Sequence, residues 1–64
     1  MELFKIQRGN VKKFYESKES FDRFWPTQLR YSKHYDVVAF KLDWKEREWK
    51  CIRRVGPKIG YYSS

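Results

Sequence analysis

The chain has 64 residues, which is one small domain (residues 1–64), and it carries one cysteine and one histidine. That excludes an internal disulfide and a four-ligand structural zinc site, and no metal or cofactor is expected. A formal charge of +7, beside three Trp, five Tyr and five Phe, excludes a DNA mimic, which needs an acidic surface, and favours an anionic partner.

A domain this short buries only about 60% of its extended surface. Large core side chains or self-association must make up the difference, so a homo-oligomer stays open. No apolar stretch approaches the roughly 20 residues that span a bilayer. Met1–Lys5 lacks the apolar core of a signal peptide. With a lone cysteine, the chain reads as a complete cytoplasmic reading frame, or a host-cytoplasmic one if viral.

Phe4 and Ile6 alternate with Lys5 and Gln7, the pattern of a half-buried N-terminal strand that Gly9-Asn10 ends. Val11, Phe14, Lys18, Phe21 and Trp25 then fall at spacings of 3, 4, 3 and 4, one face of a helix over about 11–25. Asn10 suits its N-cap and Pro26 its end. A second reading turns Arg8-Gly9-Asn10 into a hairpin, makes 11–16 a strand and leaves a shorter helix over about 18–25. Residues 26–35 read as a loop pinned by Leu29 and Tyr31.

An antiparallel hairpin follows, with strands at about 36–44 and 49–55 joined through Lys45-Glu46-Arg47-Glu48. Pairing Trp44 with Trp49, Leu42 with Cys51 and Val38 with Val55 puts the apolar residues on one face, with Cys51 buried. Lys41, Lys50 and Arg54 then share the other face. Gly56-Pro57 breaks the strand, and Lys58–Tyr62 offers a short last strand or a docked tail. The expected fold is α+β, a two-layer domain with the helix across a three- or four-stranded sheet. A small all-β barrel with a short helix is the alternative.

Phe4, Phe14, Phe21, Phe40 and Trp44 stand at core spacing. Glu48 is the last acid, so the final sixteen residues hold Lys50, Arg53, Arg54 and Lys58 with no carboxylate. Such a basic hairpin face fits the phosphates of DNA or RNA. Trp49, Tyr61 and Tyr62 stand beside it as groups on which bases stack or a protein anchors. The expected function is a small nucleic-acid-binding module, not an enzyme. The alternative is a phage-type protein that modulates a larger host enzyme by meeting an acidic surface with these basic and aromatic groups. His34, between Lys33 and Tyr35, has the ingredients of a ribonuclease acid–base, but one loop histidine is ordinarily a surface residue.

Overall fold

The structure is a computed structural model that describes residues 2–57 and the backbone of residues 60–62. Five strands and one helix follow in the order β1 (Phe4–Arg8), β2 (Val11–Tyr15), α1 (Lys18–Tyr31), β3 (Val37–Asp43), β4 (Glu48–Gly56) and β5 (Gly60–Tyr62). The strands form one antiparallel sheet in the spatial order β2-β1-β3-β4-β5, and α1 covers one face. The fold is α+β, and the sheet is open, so it is not a barrel. No helix among the described residues is long and apolar enough to cross a membrane.

Residues 11–15 are strand and not helix, which corrects the longer helix over 11–25. A two-residue turn, Gly9-Asn10, joins β1 to β2 with Arg8 opposite Val11. Gly9 has φ +56°, the left-handed geometry that two-residue hairpins need at their first turn position. The helix starts later, at Ser17, whose hydroxyl accepts from the Ser20 N–H at 3.1 Å. It then runs through Pro26 to Tyr31, so residues 26–31 are helix and not loop. Pro26 lies on an exposed side of α1, where solvent can satisfy the Asp22 carbonyl left without its usual N–H donor.

The core consists of Phe4 and Ile6 from β1, Phe21 from α1, and Val37 and Ala39 from β3. Tyr15, Trp25 and Ile52 pack around it. The Phe21 ring stacks on Phe4 at 4.7 Å and on Trp25 at 5.8 Å. Because the helix brings these large rings, it needs small partners beneath it, and Ala39 supplies one with no exposed surface. The buried helix face continues through Gln28 and Ser32, while Leu29 and Tyr31 are exposed, Tyr31 meeting β1 through Arg8. Arg8 explains the buried Gln28. Its guanidinium donates to Gln28 Oε1 at 3.0 Å and lies 3.8 Å over the Tyr31 ring.

The β3–β4 hairpin is where expected, but its faces are exchanged. Val38 pairs with Arg54 and Leu42 with Trp49, with a bulge between Ala39 and Phe40 where Ile52 is the extra residue of β4. Trp44 belongs to the connection and is 55% exposed. The helix covers the side of the sheet opposite to the expected one: Val37 and Ala39 meet it, while Val38, Phe40 and Leu42 look away from it. Cys51, opposite Phe40, is exposed and not buried. Of the five aromatics at core spacing, Phe4 and Phe21 are buried, whereas Phe14, Phe40 and Trp44 lie outside the core.

Candidate nucleic-acid interface

The sheet face away from α1 is built of two cross-strand rows. In one row Phe14, Lys5, Phe40 and Cys51 stand side by side across β2, β1, β3 and β4. In the next, two residues along β1, β2 and β3 and three along the bulged β4, stand Lys12, Gln7, Val38 and Arg54. The rows are roughly 7 Å apart, from two residues at about 3.3 Å each.

The aromatic row is organised around a lysine. The Lys5 ammonium lies 4.6 Å from the Phe40 ring centre and 4.7 Å from that of Trp49. Trp49 leans in from β4, and Phe14 reaches across to it with ring centres 6.0 Å apart and planes at 51°. Cation–π attraction holds the ammonium between the two rings and fixes their orientation. Phe14 is 57% exposed, so this cluster is a surface feature and not a second core.

The charge of this face is one-sided. Its positions on β1 to β4 carry Lys5, Lys12 and Arg54 and no carboxylate. Among the described residues, Lys5, Lys12 and Lys13 enter no ion pair. Asp36 stands at the rim, just before β3. With Gln7, Gly9, Val38 and Phe40 it lines a shallow cleft of about 310 Å³.

The residues expected to bind a partner divide between the two faces. Arg54 and Trp49 are on the open face, as described. Lys41 and Lys50 are opposite one another on the helix side, beyond the core, so they do not share a face with Arg54. The bulge at Ile52 is the reason, because it puts Lys50 and Arg54 on opposite faces of β4. Both are paired, Lys41 with Glu2 at 3.2 Å, and Lys50 with Asp43 at 3.1 Å and Glu46 at 3.2 Å. With Trp44 and Lys45 they line a cleft of about 540 Å³ whose charge is mixed, because Glu2 and Asp43 line it too.

Hydrogen bonds hold the Asp43 carboxyl below its ordinary value of 3.8, first from the Glu46 N–H and then from Lys50. The Asp43 contact in turn raises the Lys50 ammonium. Arg53 is structural. Its guanidinium bonds Asp22 at 3.4 Å and lies 4.9 Å over Phe21 and 5.1 Å over Trp25. Lys58 and the side chains of Tyr61 and Tyr62 fall outside the described residues, although the Tyr62 backbone pairs with Arg54.

His34 sits exposed in the turn after α1, with its N–H on the Tyr31 carbonyl. No group of three or more metal-ligating side chains occurs among the described residues. Lys5, Lys12, Phe14 and Phe40 are interface residues that sequence reasoning missed. The alternation of Lys5 and Gln7 with Phe4 and Ile6 marked the first, and the hairpin reading of 11–16 carried the signal for Lys12 and Phe14. No protein-family model, curated protein or solved structure matches this chain.

Proposed function

We propose that the chain is a nucleic-acid-binding module and not an enzyme, with the open face of the sheet as its contact surface. One observation carries this reading: Lys5 stands within, and Lys12 and Arg54 along one side of, an aromatic cluster with Phe14 exposed, on a face without a carboxylate at any position of β1 to β4. Lys12 and Arg54 stand at the two ends of the row beside the aromatic one and suit the phosphates of a strand running along it. Such contacts carry affinity without sequence choice. The exposed Cys51 thiol suits a reducing cytoplasm.

Anisotropy of a labelled oligonucleotide between 50 and 200 mM salt tests this. Three cationic contacts give a loss of affinity of roughly 20- to 40-fold across that range. The double charge reversal Lys12→Glu with Arg54→Glu is expected to abolish binding. No binding at 50 mM salt would refute the proposal.

A protein partner is a second reading, and β2 favours it. β2 is an edge strand, and Val11, Lys12, Lys13 and Phe14 are all exposed along it. A strand from a partner could add there, most readily an acidic one. Two copies of β2 pairing about their centres would set Lys13 against Lys13, which disfavours a dimer through this edge. Capture of a protein from lysate that survives nuclease and is lost on Lys13→Glu would support this reading.

A further inference from the structure

We infer that the open face selects single-stranded nucleic acid, DNA or RNA, by stacking unpaired bases on Phe14 and Trp49. This rests on the nucleic-acid reading above and adds the form of the ligand.

Width comes first. A DNA major groove is about 12 Å across and admits a two-stranded ribbon. Here β3 and β4 are no free ribbon, because β1 flanks one side and β5 the other. Adjacent strands are about 4.8 Å apart, so β2 to β4 alone span roughly 14 Å of backbone, before side chains. This face meets a ligand flat and does not enter a groove.

Chemistry comes next. In a duplex the faces of the bases are hidden in the stack, so an aromatic surface gains nothing from them. Only an unpaired base offers its π-face. Phe14 is more than half exposed, and the ammonium of Lys5 fixes Trp49 from beneath.

The ring geometry sets how bases dock. One base held between two parallel rings needs two stacking steps of about 3.4 Å, or roughly 7 Å. The Phe14 and Trp49 centres are 6.0 Å apart and their planes are tilted by 51°. A base therefore lies on the outward face of a ring, and not between the two. The phosphates then run along the row that ends in Lys12 and Arg54.

Four labelled probes test this by anisotropy on the full chain at 150 mM salt. They are fifteen-nucleotide oligo(dT), oligo(rU), the duplex of oligo(dT) with oligo(dA), and an abasic strand with the same number of phosphates. Either single strand is expected to bind at least tenfold tighter than the duplex and the abasic strand. Preference between oligo(dT) and oligo(rU) identifies DNA or RNA as the source. Phe14→Leu keeps an apolar side chain but removes the ring. It is expected to weaken single-strand binding roughly 5- to 150-fold and leave duplex binding unchanged.

Equal affinity for single strand, duplex and abasic strand would overturn the single-strand inference and leave nucleic-acid binding standing. So would an equal effect of Phe14→Leu on all four probes. Failure to bind any probe, even at 50 mM salt, would instead remove the nucleic-acid reading itself. Circular dichroism of Phe14→Leu confirms that the variant is folded. Where it is not, the abasic strand against oligo(dT) on the wild type still decides.

Discussion

Phe14 and Phe21 give the sharpest test of the fold, because helical periodicity sets them on one stripe and the structure sets them on opposite faces of the sheet. Phe21 is 1% exposed, stacked between Phe4 and Trp25, with Arg53 over its ring. Truncating such a side chain costs about 3–5 kcal/mol. A chain of this length has roughly 3–10 kcal/mol in all. Phe21→Ala is therefore expected to remove most of the stability.

Phe14 is 57% exposed, so a little under half of it is buried. At about 2–3 kcal/mol for full burial, that is roughly 1 kcal/mol. The tilted contact with Trp49 adds about 0.5–1 kcal/mol. Phe14→Ala should thus cost about 1–2 kcal/mol. Urea titration followed by circular dichroism reads both. With a slope near 1 kcal/mol per molar for a small domain, Phe14→Ala shifts the midpoint by about 1–2 M. Phe21→Ala shifts it by about 3–5 M or unfolds the chain, and Phe21→Leu then gives a measurable intermediate. A Phe14→Ala loss equal to that of Phe21→Ala would refute the two-faced sheet and restore the long helix.

Three further outcomes test other parts of the structure. Pro26→Ala is expected to stabilise the chain, by up to about 3 kcal/mol, because Pro26 sits inside a continuous helix, and a lower urea midpoint would contradict that. A Cβ at Gly56 would fall 2.6 Å from the Asp36 Cα, so Gly56→Ala should destabilise by a margin visible in the thermal midpoint, whereas an unchanged midpoint would show that β4 does not approach Asp36. Asp43 is acidified in the fold, so its contribution is present above its ordinary value of 3.8 and lost as pH falls through the lower folded value. Stability against pH should therefore show a shallower acid limb below about pH 4 in Asp43→Asn than in the wild type, and identical limbs would contradict the Asp43–Lys50 contact.

The elements legible from sequence were those whose periodicity belongs to one secondary structure. The alternation of Phe4 and Ile6 with Lys5 and Gln7 specifies β1. Apolar runs about a polar connection specify the β3–β4 hairpin. Helical periodicity runs too far towards the N-terminus because Val11 and Phe14, which belong to the exposed edge strand β2, continue the 3–4 spacing of Phe21 and Trp25. Lys18 in the middle of that stripe was the local sign of a boundary, and Ser17 supplied the cap. The far end of the helix hid for the opposite reason. Its buried positions, Gln28 and Ser32, are polar, and Gln28 is accommodated by Arg8 from a distant strand.

The exchanged hairpin faces have a tertiary cause. Phe40 and Leu42 are larger than Val37 and Ala39, so size alone assigns them to the core. The helix already brings Phe21 and Trp25, and it requires the smaller side chains beneath it. The candidate site moves with these faces. Lys41 and Lys50 went to the helix side, and the open face received Lys5, Lys12 and Phe14 instead.

Two-dimensional amide and indole NMR during titration with oligo(dT) addresses the open face most directly. The shifts are expected at Lys5, Gln7, Lys12, Phe14, Val38, Phe40 and the Trp49 indole N–H, with α1 unchanged. Shifts centred on Lys41, Lys50 and the Trp44 indole, or on α1, would contradict the assignment of the open face as the nucleic-acid surface.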